Sequence, residues 1–263
     1  MNLADELLRV ASELARAAGD MALAGRKAGL QNVQTKSTAT DMVTEFDRAS
    51  EKLIVEGMRK RRPLDAIVGE EGASIAGTSG ITWYIDPIDG TANFMRGVPV
   101  WGALIALAVD GKPVLSVVSA PALGRRWWAA PGVGAHTRDV DGAERSIRVS
   151  QVSALEHASL SYNNLQLWDR AGYLNELVEL SRKVWRTRAY GDFFSYMLLA
   201  EGSVDIVGEH DLKIYDIAAL VPIVEQAGGI FSALDGELTA ETSSVLATNS
   251  HLHDLAQSAF AKN

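Results

Sequence analysis

The sequence predicts an α/β fold, with helices and sheets in layers, and three observations carry that expectation. Two amphipathic helical patterns open the chain, short β-branched and aromatic runs follow from Ile81, and helices alternate with strands in the second half. A length of 263 residues, 47% of them hydrophobic and 22% charged, suffices for one large domain or two packed halves. There is no low-complexity linker and no internal repeat. The expected organisation is therefore a single domain over 1–263 with two packed lobes, roughly 1–150 and 151–263.

Each element has a local reason. Residues 3–23 place Leu, Val, Ala and Met at helical spacing, with Asp5, Glu6, Arg9 and Glu13 between them. The polar connection QNVQTKSTATD leads to a second helical pattern over 45–60, ended by Arg62-Pro63. AIVGEEG reads as a short buried strand running into a glycine-bounded turn. ITWYI, WGALIALAV, PVLSVVSA and RRWWAA read as successive strands separated by DGK, LGR and PGVG. Beyond them, helices are expected over 169–182, 192–201 and 215–227, the last ended by Gly228-Gly229, and strands at 184–186 and 204–207. SVLATN supplies a last strand before a C-terminal helix.

The formal net charge of −8 argues against nucleic acid or an anionic membrane surface as the main partner. An anionic substrate stays compatible with it, because a bound metal inverts the local field. The absence of cysteine removes disulfides, cysteine-ligated zinc and cysteine-dependent phosphatases, and fits a reducing cytosol. Charges run through the N-terminal stretch, so no secretory leader is expected, and the most apolar run, 98–109, is too short to span a bilayer. The expectation is a soluble, cytoplasmic protein.

Acidic residues at element ends carry the chemistry. They are Asp41 and Asp47 in TDMVTEFD, Glu70-Glu71, Asp86 and Asp89 in WYIDPIDGTANF, and Asp216. Each also has a structural reading: Asp41 and Asp216 as helix N-caps, Glu70-Glu71 as a solvated turn, Asp86 to Gly90 as an ordinary turn. Read together, they suit a hard divalent cation such as Mg²⁺, which takes oxygen ligands and keeps waters and phosphate oxygens. Pro87 fixes one backbone angle, so the chain leaves the strand WYI in a set direction and Asp86 and Asp89 point inward from one turn, with the Ile88 carbonyl between them. Gly90 permits close backbone approach, and Thr91 opens a helix whose free N–H groups suit a phosphate. These are the parts of metal-assisted phosphate-ester hydrolysis, with direct in-line attack by water and no phosphoenzyme. No G-x-x-x-x-G-K-[ST] loop is present. The D-x-D-x-T frame of the aspartyl-phosphate enzymes fails as well, since Pro87 stands where the nucleophile belongs.

Four segments also resemble a known family. TKSTATDMVTEFD at 35–47, VGEEG at 68–72, WYIDPIDGTANF at 83–94 and YDIAALVPIVEQAGG at 215–229 are similar, in order, to the signatures of the inositol monophosphatase family. Its members are Mg²⁺-dependent, lithium-sensitive phosphatases, usually dimeric. The resemblance implies a layered α-β-α-β-α sandwich (α+β in the broad sense) and a homodimer. It implies two or three Mg²⁺ per active site, held by Glu70, Asp86, the Ile88 carbonyl, Asp89 and Asp216, with Asp89 bridging. Gly90 and Thr91 would hold the phosphate, with Ile88, Asp89 and Asp216 lining the same site. Glu70 and Thr91 would position the attacking water, and Asp47 would hydrogen-bond the Thr91 hydroxyl. Asp41 would support the fold near the site and Lys36 would lie near its mouth.

The inositol phosphatases carry a Trp-Asp pair and a small-residue run, whereas this chain has Tyr215-Asp216 and RAYGDFFSY at 188–196, with Phe193 and Phe194 where small residues are expected. DLKIYDIAALVPIVEQAGG, RGVPVWGALIAL and VSAPALGRRWWAA look like the actinobacterial histidinol-phosphate phosphatases of the same family. The implied substrate is a small phosphate ester, L-histidinol phosphate, with inositol 1-phosphate or sugar phosphates as the alternative. Histidinol carries an ammonium and an imidazole, so Asp192 and Glu209 are candidates for its cationic part. Arg188 is a candidate for the phosphate, or else a structural ion pair.

A further alternative is a metal-occupied regulatory protein without turnover, against which the complete set of expected residues speaks. In Trp127-Trp128 one ring is expected in the core, not on a base-stacking surface. His210, His251 and His253 lack zinc-like spacing and are expected in surface or capping roles.

Overall fold

The computed structural model describes residues 3–29, 34–35, 42–234 and 238–261. α1 (Leu3–Ala28) runs several residues past its expected end and buries Leu7, Leu8, Ala11, Leu14, Ala15, Ala18 and Ala22 along one stripe. β1 (Gln34–Thr35) and β2 (Met42–Val43) pair antiparallel. α2 (Glu45–Arg61) follows from its Thr44 cap.

Strands β3 (Ala66–Gly69), β4 (Ser74–Ile75) and β5 (Ile81–Asp89) precede the one-and-a-half-turn α3 (Thr91–Arg96). The meander β6 (Gly102–Val109), β7 (Lys112–Ala120), β8 (Arg125–Ala130), β9 (Gly134–Arg138) and β10 (Glu144–Ser146) completes the first half. The second half runs β11 (Ser159–Tyr162), α4 (Leu165–Ala171), α5 (Leu174–Ser181), β12 (Arg186–Arg188), α6 (Asp192–Ala200) and β13 (Ile206–His210). It closes with α7 (Ile214–Ile217), α8 (Leu220–Gln226), β14 (Gly229–Ala233), β15 (Ser244–Asn249) and α9 (His253–Phe260).

Among the described residues the large sheet has the order β10-β9-β8-β7-β6-β5-β3-β4, antiparallel except for β3 beside β5. The small sheet has the order β12-β11-β13-β15-β14, with parallel pairing on either side of β11. Side chains alternate between two cores, as period two requires. Trp83, Ile85, Ile105 and Val117 face Leu14, Ile54 and Met58 of α1 and α2. Leu104, Ala106, Val118 and Trp127 face Tyr196, Met197, Ile223 and Val224 of α6 and α8, whose far sides meet Val207, Phe231 and Val245 of the small sheet. Trp168, Leu177, Leu180 and Phe260 cover that sheet's other face. The stack is α-β-α-β-α, and a strand buried on both faces explains why GALIALAV is apolar without interruption.

Several boundaries differ from the sequence reading. The helix expected over 169–182 is two: Gly172, at φ 75°, caps α4 and redirects the chain into α5. The helix expected over 215–227 is likewise divided into α7 and α8. The strands expected at 184–186 and 204–207 sit about two residues later, as β12 and β13. β1, β2, β4, β9, β10, β11 and β14 were not expected. β10 is the edge strand and β9 lies next to it, and both are too polar to show the apolar run that marks a strand.

The aromatic run in β8 has a packing reason on each face. Trp127 is fully buried, edge-on to Phe193 and Phe194 at 6.2 Å. Trp128 points to the α1 side and stacks on His136 at 5.7 Å. No helix among the described residues is long and apolar enough to cross a membrane.

Candidate active site

The site forms where β5 ends. Its register against β6 slips between Asp86 and Asp89: Asp86 faces Leu104 and Asp89 faces Gly102, so β5 carries one extra residue. In a regular strand, residues three apart point to opposite faces; a one-residue bulge returns them to the same face. Pro87 occupies this bulge, where an N–H is not needed for the ladder. The turn expected at Pro87 is thus corrected: the strand continues to Asp89, and the chain turns at Gly90, φ 82°, which caps α3. A Cβ at Gly90 would lie 3.0 Å from both Asp192 Oδ2 and the Val100 carbonyl. Asp86 Oδ1 accepts from the Ile88 N–H at 3.0 Å and steadies the bulge.

Asp86, Asp89 and Asp216 come together, each offering a carboxylate oxygen, with these oxygens within 4.8 Å of one another. Asp216 arrives from the other half of the chain as the third residue of α7, where its Oδ2 accepts from the Lys213 N–H at 2.7 Å. Asp47 holds the equivalent position in α2: its Oδ2 accepts from the Thr44 N–H at 2.7 Å and from the Thr44 hydroxyl. Its other oxygen faces the Thr91 hydroxyl at 3.1 Å, and that hydroxyl also lies 3.1 Å from the Ile88 carbonyl. Asp216, which the sequence offered as a helix N-cap, is instead the third helical residue reaching back to the cap N–H, and Asp47 does the same with one oxygen while its other faces the site.

Glu70 reaches the same cluster from the end of β3, where it hydrogen-bonds Asp86 and adds to the negative field on Asp47 and Asp216. A residue that the sequence reading missed holds this turn. Buried Glu51 of α2 accepts from the Glu71 N–H at 2.8 Å and the Ala73 N–H at 2.9 Å. Gly69 is required beneath it, because a Cβ there would lie 2.2 Å from Glu51 Oε2. Lys36 and Asp41 lie outside the described residues.

A cleft of about 590 Å³ opens beside the cluster, lined by Asp89, Asp192, Glu209 and Asp216 together with Asn163, Tyr190 and His210. Among the described residues no Lys or Arg lines it. Asp192, at φ 45°, opens α6 in a strained backbone conformation and accepts from Asn93 Nδ2 at 2.8 Å. Asp89 Oδ2 accepts from the Phe193 N–H at 2.9 Å, which ties β5 to α6. Glu209 is buried on β13 and accepts from the Tyr196 hydroxyl at 3.2 Å.

Arg188, expected at the phosphate, is exposed, bonds the Thr187 carbonyl at 2.7 Å and does not line the cleft. Phe194 turns to Trp127 and does not line it either, whereas Phe193 does. His210 is corrected from a surface role to a buried one, wedged between Trp168 and Tyr173 in the cleft wall. His253 is also buried, its Nδ1 3.1 Å from the Thr248 hydroxyl, while His251 is exposed as expected.

Burial pushes Asp47, Asp86, Asp89, Asp192, Glu209 and Asp216 up. Asp86 and Asp89 lie well above the ordinary range, through loss of solvent and then repulsion: from Glu70 and Asp89 on Asp86, and from Asp192 and Asp216 on Asp89. Burial also raises Glu209, Asp192 to about 6 and Asp216 to about 7. Asp47 is raised by burial against the hydrogen bonds from Thr44. Charged carboxylates at this density need a compensating cation, and an all-oxygen donor set suits a hard divalent one.

The sequence profile of the inositol monophosphatase family matches residues 3–263. A histidinol-phosphatase from Streptomyces coelicolor is 48% identical over 252 residues, 94% of each chain. One from Mycobacterium tuberculosis is 48% identical over 223 residues, 84% of this chain and 85% of that one. Among solved structures, the extragenic suppressor protein suhB from Bartonella henselae superposes with a TM-score of 0.88 at 30% identity, covering 98% of this chain and 99% of that one.

Proposed function

Since the chain belongs to the inositol monophosphatase family and is a phosphoric monoester hydrolase, we propose that its substrate is L-histidinol phosphate, hydrolysed with Mg²⁺ to L-histidinol and phosphate. The observation that carries the reading is the acid-lined cleft, with no Lys or Arg among the described residues that line it, opening from three convergent aspartates. Asp86, Asp89 and Asp216, with Glu70 and the Ile88 carbonyl, would hold two or three Mg²⁺ ions. Those ions would supply a water of lowered pKa and positive charge against the phosphoryl oxygens.

The remaining work falls to the chain. Gly90 and Thr91, at the first turn of α3, hold the phosphate through backbone N–H groups that have no acceptor within the helix. The Thr91 hydroxyl has one proton to donate, and Asp47 Oδ1 competes for it with the Ile88 carbonyl at the same 3.1 Å. Donation to Asp47 leaves a Thr91 lone pair to accept from the attacking water, and the Glu70 carboxylate accepts that water's second proton. The water oxygen then bonds phosphorus as the bond to the leaving oxygen breaks, in line and without a phosphoenzyme; the leaving oxygen takes its proton from a solvent water, and the proton held on Glu70 returns to solvent.

The leaving group fits the acidic half of the cleft. Asp192 and Glu209 offer carboxylates to an ammonium or imidazolium, whereas an uncharged inositol would leave them uncompensated. The two 48% identical relatives, both histidinol-phosphatases, support the same choice. In this reading residues 1–263 work as one phosphatase domain of two packed lobes, cytoplasmic and homodimeric, with no nucleic-acid or membrane partner.

The test compares phosphate release from L-histidinol phosphate and myo-inositol 1-phosphate as kcat/KM on one preparation. A preference of about 100-fold for histidinol phosphate is expected, roughly 2.7 kcal/mol of transition-state discrimination. A preference for inositol phosphate, or equal low rates on both, sinks the substrate assignment. Activity unchanged by chelation sinks the metal dependence.

A further inference from the structure

We propose that a second anion site, separate from the catalytic cleft, lies where Arg16, Arg126 and Arg138 converge, and that it takes inorganic phosphate or the phosphate group of a small metabolite. The site is a concave surface of about 310 Å³ between α1 and the ends of β7, β8 and β9. None of its lining residues lines the catalytic cleft.

The sheet register sets Arg126 of β8 directly opposite Arg138 of β9. Like charges in directly opposed positions repel, so the pairing is unfavourable unless something negative sits over it. α1 brings Arg16 to the same surface as a third positive charge. Burial and repulsion from Arg138 both act against the charge on Arg126. Its Nε is buried and has no hydrogen-bond partner, which leaves a charged donor unsatisfied.

The acids in the lining neutralise the three arginines only in part. Asp139 holds Arg125 at 2.6 Å and Arg145 at 3.0 Å. Asp20 makes only an exposed 3.4 Å contact with Arg16, and Asp141 accepts from the Ala143 N–H. Glu144 stands opposite Arg138 on β10 and offsets part of the charge on Arg126 from outside the pocket. Among the described residues neither Arg126 nor Arg138 makes an ion pair. Three guanidinium forks around one hollow offer donors from several directions, which suits a tetrahedral oxyanion with acceptors on every side.

The experiment is isothermal titration of inorganic phosphate into the full chain in excess chelator, with sodium chloride at matched ionic strength as the control. Without metal, the buried carboxylates of the catalytic cleft repel phosphate, so the heat reports the arginine site. Saturable binding is expected for the unaltered protein, weakened about tenfold or more in both Arg126→Gln and Arg138→Gln. Arg126→Gln removes the guanidinium that lies 5.9 Å from the Trp128 ring centre, whereas Arg138 is exposed, so at least the second variant reads out on a folded chain. Both variants should keep kcat/KM within about twofold, because neither residue touches the cleft. Arg138→Gln should also melt higher in phosphate-free buffer, since it removes a repulsion. Heat no different from the chloride control, or undiminished phosphate binding in Arg138→Gln, overturns the site.

Discussion

At the scale of single residues, the site depends on carboxylates that each meet two demands. Asp89 accepts the Phe193 N–H with one oxygen while belonging to the three-aspartate cluster, so its replacement separates fold from chemistry. Asp89→Asn is expected to lower kcat about 10³-fold or more, some 4 kcal/mol of barrier. Its metal-free melting temperature should rise at neutral pH, because the cost of burying that carboxyl among its acidic neighbours, whether ionised or protonated, is gone. A variant with unchanged kcat overturns the catalytic reading of this residue. Glu51 makes the complementary case, since it touches no reacting group yet fixes the turn that carries Glu70 through two backbone N–H groups. Glu51→Ala is expected to cost about 1–3 kcal/mol of stability by leaving those donors unpaired. It should lower kcat more than it changes KM, with Glu51→Gln intermediate; denaturant unfolding and steady-state kinetics check both. Equal activity in the alanine variant would remove Glu51 from any positioning role.

At the scale of elements, the corner between β5 and α3 brings the parts together. The bulge aligns Asp86 with Asp89, and Gly90 then turns the chain with a left-handed backbone that places Thr91 over Asp47. Gly90→Ala should cost about 1–3 kcal/mol in backbone strain. It should also reduce activity, since the added methyl meets Asp192 Oδ2 and the Val100 carbonyl. Unfolding and kcat/KM, measured together, test it: full activity with unchanged stability would mean that the corner yields without consequence. Asn93 of α3 extends the same corner by holding both the Val100 carbonyl and Asp192. Most elements were legible as periodic patterns, and those that were not have local reasons. Gly172 splits a continuous helical pattern, and β9 and β10 are too polar to read as strands away from their neighbours.

At the scale of the whole molecule, burying many carboxyls together makes stability depend on pH and on metal. A carboxyl whose pKa is raised by folding keeps its proton where the unfolded chain has lost it. Its contribution is fully present below the unfolded value near 4 and is lost as pH rises through the folded value, about 6 for Asp192 and about 7 for Asp216. Asp65 acts oppositely: burial raises it, but hydrogen bonds from Arg62, Trp83 and Ser79 win and hold it low, so its contribution fades in acid. The metal-free protein should therefore melt lower at about pH 8 than at about pH 5.5, and Mg²⁺ should raise the melting temperature more at the higher pH. Activity should fall on the acid side and be partly restored by more Mg²⁺. Thermal scans in chelator and in Mg²⁺ across that range check this, and a Mg²⁺ effect independent of pH would contradict it.

From the order of its residues alone, this chain declares its helices, its buried strands and the acidic residues at their ends, because periodicity, capping and chain breaks act over a few neighbours. WYIDPIDGTANF and YDIAALVPIVEQAGG were legible in that way. Which carboxylates converge was decided by sheet register and layer stacking, which join Asp89 to Phe193 and Asp86 to Asp216 across more than 100 residues. The same long-range packing buried His210 in the cleft wall and put Glu51 beneath the Glu70 turn, while Arg188 stays exposed and outside the cleft lining. It also set Arg126 against Arg138. Local pattern sets what each segment becomes, while proximity between distant segments exists only once their apolar faces have been buried against one another.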